Sequence, residues 1–132
     1  MKLKQGDIIR ACKALDKIMV QDTSLVVSKK TFEMRDKLQP VWSFQISEEN
    51  KIAARHPNVD PVKASVQFSA NNEEEKKSKL QELDSFIKEM EELGNIENEV
   101  DVEPFSISIS QENIKMAGKD IMALRGLVSF DD

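Results

Sequence analysis

Apolar positions along the chain fall into stretches of helical spacing separated by short runs of alternation. From Gly6-Asp7 onward, Ile8, Ala11, Cys12, Leu15, Ile18 and Met19 recur every three or four residues, which is the period of one helix face. Asp7 is the expected N-cap, and "QDTS" from Gln21 supplies the turn formers that end this helix. A second helix opens between Ser24 and Ser28. Its stripe is Val27, Met34, Leu38, Val41 and Trp42, with Phe32 off that line and free to meet another neighbour.

The stretch "LQPVWSFQISEEN" carries two patterns at once. Pro40 removes an amide donor and biases Gln39 away from helix, while Trp42, Phe44 and Ile46 alternate with polar partners as in a strand. Against this, "SEENKIAARH" is a strong helix former, and Trp42, Ile46, Glu49 and Ala53 also fit helical spacing. The balance favours one long helix, kinked at Pro40 and running to about Arg55, on the order of 45 Å in length.

Downstream, "HPNVDP" is a loop, and "ASVQFSA" alternates Val66, Phe68 and Ala70 as a short strand. The next helix is the clearest element. Asn72 caps it, Glu73 to Glu75 suit the positive end of its dipole, Leu80, Leu83, Phe86, Ile87, Met90 and Leu93 form its stripe, and Gly94 is the expected C′ residue. "PFSISIS" puts Phe105, Ile107 and Ile109 on one strand face, and Ser110 can cap a helical turn in "QENIKMA". Gly118 interrupts that turn, and Lys119 to Leu124 form another, ended by Gly126, with Ile121, Met122 and Leu124 on one face. Leu127, Val128 and Phe130 continue onto the core, so the apolar tail reads as structural closure. The two alternating strands are expected to pair with each other, because neither can stand alone.

These elements imply a mainly α fold with a small β element (α+β) in a single domain, 1–132. The expected architecture is an elongated antiparallel helical hairpin with short N- and C-terminal helices and a two-stranded β pairing. Composition agrees with elongation, since 33% charged and 39% apolar residues suit long helices wet on one side. The charge is uneven: residues 1–66 carry 12 basic against 8 acidic side chains, and residues 67–132 carry 7 against 16. Glu82 to Glu103 holds nine acidic residues and a single base, Lys88. Such a surface repels nucleic acid, so no direct nucleic-acid contact is expected. "MKLKQGDIIR" lacks a signal-peptide core and no apolar run reaches membrane-spanning length. No membrane association is therefore expected, and the expected location is cytoplasmic.

Candidate chemistry is sparse. Cys12 is the only cysteine, which excludes an intramolecular disulfide and a thiolate zinc site; in its apolar pattern it reads as a buried structural thiol. The four glycines are scattered singly, so no phosphate-cradling loop can be built. His56 is the only histidine and reads as a helix end, where a cation is favoured. "ENEVDVE" lacks the glycine and alternating oxygens of a calcium loop and reads as a solvated acidic connector. No catalytic residue, cofactor, metal or small-molecule substrate is assigned. The long helices carry more apolar surface than one seam buries, so a protein partner or self-association is expected, with Trp42, Phe44 and Ile46 as the contact residues.

The layout is similar to a family of small phage and prophage proteins of uncharacterised function, found in tailed phages of Gram-positive bacteria. The likeness covers a short N-terminal helix, the basic "SKKTFEMRDKLQP" entering a long helix, an acidic second long helix, and the tail "ISISQENIKMAGKDIMALRGLVSF". In that tail Ile107 and Ile109, Ser110, Ile121 to Leu124 and Val128 follow the family's order of β-like stretch, polar cap and apolar close. The inserted "HPNVDPVKASVQFSANN" departs from the layout. The family supplies no catalytic residues. The resemblance supplies context and not a mechanism, placing the protein in the host bacterial cell or on the virion. The surplus apolar helix surface and the lack of catalytic constellations lead to the expectation of a non-enzymatic phage or prophage accessory protein acting through protein contact or assembly. The alternatives are an acidic inhibitor of a host nucleic-acid-binding or defence enzyme, using Glu89, Glu91, Glu92, Glu97, Glu99, Asp101 and Glu103, and a carboxylate-dependent metal enzyme.

Overall fold

A computed structural model describes residues 1–67 and 72–132. The order of elements is β1 (Lys2–Lys4), α1 (Gln5–Met19), α2 (Leu25–Arg55), β2 (Val59–Asp60), β3 (Ser65–Val66), α3 (Glu73–Gly94), β4 (Glu97–Glu99), β5 (Phe105–Ser108), α4 (Gly118–Ala123) and β6 (Val128–Asp131). The fold is mainly α with a small β element.

α1 buries the stripe read from sequence, with Ile8, Cys12, Leu15 and Ile18 wholly enclosed. Its start differs. The helix opens at Gln5 behind Lys4, without a side-chain cap, because β1 delivers the chain directly and the Gln5 amide donates to the Ile96 carbonyl at 2.7 Å. Asp7 lies in the first turn, where its charge suits the dipole.

α2 is a continuous helix of 31 residues with Pro40 inside it, so the strand alternative for Trp42, Phe44 and Ile46 is not adopted. Pro40 is on the solvent side, where the carbonyl it leaves without a helical donor can be hydrated. The buried seam is Val27, Thr31, Met34, Leu38, Val41, Gln45, Glu48 and Ile52, all buried or half-buried. Its alternating steps of four and three are the period that keeps one side of a long helix against a partner. Ser24 caps the helix by accepting from the Val27 amide. Fully buried Thr31 satisfies its hydroxyl on the Val27 carbonyl at 2.7 Å.

Two partners share that seam. α1 covers the N-terminal half, and Arg35 reaches Asp16 at 2.9 Å. α3 covers the C-terminal half, joined by Arg55 to Glu89 at 3.2 Å and Asn58 to Glu82 at 3.0 Å. The antiparallel α2–α3 hairpin is present, yet α3 fully buries only Phe86 and Leu93. These form a small cluster with Ile52 and Val59. The main core is built from α1, the first half of α2 and the chain after Val100. Asn72 caps α3 as expected, accepting from Glu74 and Glu75, but Gly94 is the last helical residue and Asn95, right-handed, closes the helix.

The expected pairing of the two alternating strands does not form. β3 pairs antiparallel with β2, and Phe68 and Ala70 lie outside the described residues. β5 pairs in parallel with β6, Phe105 opposite Val128 and Ser108 opposite Asp131. A parallel pair needs a crossover connection, which the segment containing α4 supplies. "QENIKMA" is a turn followed by extended chain instead of a helical turn. The Gln21 side chain explains this, because it bonds the Lys115 amide at 2.7 Å and carbonyl at 2.9 Å and so replaces helical partners. α4 ends at Ala123 with Leu124 closing it, before the expected Gly126, which turns the chain into β6 with φ +83°, a conformation that costs a residue with a side chain about 1 kcal/mol or more. Ile121 and Met122, expected on the inner face of α4, are exposed, and Leu124 is the residue enclosed.

"ENEVDVE" is also ordered. Glu97 and Glu99 stand opposite Lys4 and Lys2 in the β1–β4 pair, while Val100 and Val102 are buried in the main core. The connector reading is corrected for Glu97 to Glu99, which form β4, and for Val100 and Val102, which are buried; Asp101 and Glu103 remain exposed. No helix among the described residues is long and apolar enough to cross a membrane.

Candidate interaction surface

The helical state of residues 40–47 decides what Trp42, Phe44 and Ile46 can do together. On a helix, residues two apart point about 200° away from each other and residues four apart about 40°. Trp42 and Ile46 therefore share one flank of α2, and Phe44 is on the other. Trp42 is half-buried against the main core, with the Arg35 guanidinium 5.0 Å from its ring centroid. Ile46 and Phe44 remain 43% and 42% exposed. The three residues do not form a single anchor site.

The Trp42–Ile46 flank continues onto α3. In an antiparallel pair, helix periodicity places equivalent flanks side by side. The Arg55–Glu89 bridge fastens one flank, and the same rotation about each axis puts Ala53 of α2 and Leu80 and Ile87 of α3 on the other, with Ile46 two turns earlier on α2, at the level where Gln45, Gln5 and Asn98 join α2 to β4. Leu80 and Ile87 are 48% and 38% exposed. Sequence reasoning assigned both to the buried stripe, although they sit at its edge, turned about 100–120° around the helix from Phe86.

Charged features are distributed differently from their sequence grouping. His56 closes α2, its Nε2 lies 2.7 Å from Glu89 Oε2, and its ring meets Phe86 edge-on at 6.1 Å. Cys12 belongs to the other cluster, so no thiol–imidazole pair forms. Hydrogen bonding from His56, aided by Arg55, holds the Glu89 carboxyl below its usual range. A depressed carboxyl contributes stability above its ordinary value, near 4.5, and loses that contribution as pH falls through the folded value. Glu89→Gln is accordingly expected to lower stability at neutral pH. The difference from wild type should shrink as the pH is taken down below the ordinary carboxyl value and through the lower folded one, as followed by urea denaturation.

Of the acidic residues grouped by sequence, Glu89 is thus engaged by His56 and Arg55, Glu97 stands opposite Lys4 in the β1–β4 register, and Glu99 accepts from the Met1 ammonium at 2.6 Å. Glu91, Glu92, Asp101 and Glu103 are open to solvent. Among the described residues no three His, Cys, Asp or Glu side chains converge on a metal-sized site. Burial pushes the Cys12 thiol up to about 11, which suppresses the reactive thiolate. A thiol reagent at neutral pH is expected to label native protein at least ~100-fold more slowly than the urea-unfolded chain, measured by disulfide-exchange absorbance.

Two concave regions meet near the start of α1. One, about 500 Å³, has Leu3, Met122, Ala123 and Leu127 as its apolar floor and Arg10, Lys119 and Arg125 around it. The other, about 400 Å³, is lined by Lys4, Gly6, Arg10, Glu91 and Gly94 among others. Arg10, paired with Asp7, belongs to both. Sequence reasoning missed this basic cleft because its cations lie more than a hundred positions apart in the chain.

No protein-family model, curated protein or solved structure matches this chain.

Proposed function

We propose that the protein is a non-enzymatic accessory protein of phage or prophage type that works by protein–protein contact or assembly. The observation that carries this reading is that Ile46 on α2 and Leu80 and Ile87 on α3, on one side of the hairpin, stay in solvent although both helices have a packed seam elsewhere. Scattered single apolar residues are ordinary on protein surfaces, but aligned ones along two neighbouring helices are typical of interaction sites. The phage assignment rests on the layout of elements and its apolar, strand-forming tail.

A photo-crosslinking residue placed at Ile46 or Ile87 is expected to give discrete adducts with a second protein chain in producing cells, whereas one at exposed Glu33, outside that flank, gives none. Equal labelling from all three positions would contradict the reading. The origin is tested by the gene's neighbours: tail, capsid or early phage genes are expected, and a housekeeping operon would overturn that part.

A further inference from the structure

We infer that the chain forms a two-fold dimer in which the acidic, apolar flank of α3 in one copy seats in the basic cleft between α1 and α4 of the other. This rests on the reading that the protein acts by protein contact and names the partner as a second copy.

The cleft joins an apolar floor, Leu3, Met122 and Leu127, to three cations. Arg10 is neutralised by Asp7, whereas Lys119 and Arg125 have no carboxylate partner among the described residues. An apolar floor with unpaired cations at its rim suits an apolar ligand that carries carboxylates. α3 presents that chemistry. Leu80, Asp84, Ile87 and Glu91 follow one another at steps of four, three and four, which is one helical stripe, and all four are exposed. Lys88 is the only base on α3 beyond Lys79, so the stripe is acidic on balance.

The two halves of this match are neighbours on the surface. Glu91, at the end of the acidic stripe, lines the recess that shares Asp7 and Arg10 with the basic cleft. A surface whose complementary halves lie side by side is self-complementary under a two-fold rotation. The rotation brings Asp84 and Glu91 of each copy to Lys119 and Arg125 of the other, so both contacts form twice and the assembly closes. Between the halves α1 and α3 approach closely, and a Cβ on Gly6 would lie 3.4 Å from the Gly94 carbonyl oxygen. The two glycines place no side chain between the facing surfaces. An interface of standard size takes about 800 Å² from each partner, roughly a tenth of the 8865 Å² surface of this chain.

The test is sedimentation velocity on the full chain from micromolar to near-millimolar concentration, with two charge-reversed variants. One is Asp84→Lys with Glu91→Lys, the other Lys119→Glu with Arg125→Glu; all four side chains are exposed, and circular dichroism melting confirms that each variant is folded. The wild type is expected to be a dimer that dissociates at high salt. Each variant alone is expected to be monomeric, and an equimolar mixture of the two to recover the dimer, because each reversed flank then meets a cleft of opposite charge. A monomeric wild type, or a dimer indifferent to both reversals, overturns the inference. If the wild type is monomeric yet Ile46 and Ile87 still crosslink to a different protein, only the identity of the partner is wrong; if crosslinks are also missing, the contact reading falls with it.

Discussion

Deleting residues 127–132 is expected to abolish cooperative unfolding or to leave an aggregating chain. Leu127 and Val128 are 3% and 4% exposed, and burying one such side chain contributes about 1.5–3 kcal/mol. The deletion also removes all of β6, so the Phe105 amide loses the Leu127 carbonyl at 3.1 Å and the Ile109 amide loses the Asp131 carbonyl at 2.6 Å. Ile107, now 1% exposed, would be uncovered where Phe130 stands opposite it in the parallel pair. The total is on the order of 5 kcal/mol or more, comparable with the whole net stability of a small domain, about 5–15 kcal/mol. Thermal melting followed by circular dichroism checks it. A truncated chain that melts like the full one would make the tail a docking peptide instead of a structural closure.

The second large effect is expected at Gln5, which is fully buried. Its Nε2 donates to the Val41 carbonyl at 2.9 Å and to Gln45 Oε1 at 3.2 Å, and its Oε1 accepts from Asn98 at 2.9 Å. One amide thus ties the start of α1 to the middle of α2 and to β4. Gln45 in turn donates to Glu49 at 2.7 Å. Gln5→Leu keeps the volume but strands the Gln45 oxygen and one Asn98 donor, at about 1–3 kcal/mol for each buried group left unpaired. A loss of about 2–4 kcal/mol in urea denaturation follows. Adding Gln45→Leu should recover at least about 1 kcal/mol, since removing both partners of a buried bond can be nearly neutral. Additive losses in that cycle would show that the two amides act independently.

Gln45 also shows what was legible in the sequence and what was not. α1 and α3 announce themselves because their buried positions are apolar, from Ile8 to Ile18 and from Leu83 to Leu93. The seam of α2 is partly hidden, because Thr31, Gln45 and Glu48 occupy places that a hydrophobic pattern leaves blank. Their polarity is satisfied by the Val27 carbonyl for Thr31, by Gln5 for Gln45 and by Lys51 for Glu48, bonds that a hydrophobic pattern does not record. The same reason accounts for α1 starting at Gln5: its first amide is satisfied by Ile96, so a capping residue is not needed. β6 was read only as an apolar closing run, since its partner β5 is parallel and the connection between them is long. Gln21, 94 positions from Lys115, is why "QENIKMA" does not coil.

The interaction surface was legible to a similar degree. An excess of apolar helix surface follows from the sequence, and Ile46 belongs to it. Grouping Ile46 with Trp42 and Phe44 came from an alternation that the helix does not follow, and Trp42 is held by Arg35 and the core. The acidic character of α3 was plain. The basic cleft that complements it required the fold, which brings Arg10 beside Lys119 and Arg125.

The central claim is that the flank of Leu80 and Ile87 is covered in solution. Methyl NMR with a soluble paramagnetic agent tests it most directly, using Leu25 and Val62, 88% and 92% exposed, as references for uncovered side chains. At high protein concentration the Leu80 and Ile87 methyl signals are predicted to be protected relative to these references, and to lose that protection on dilution or in high salt. Relaxation of Leu80 and Ile87 as strong as that of Leu25 at every concentration would contradict the account.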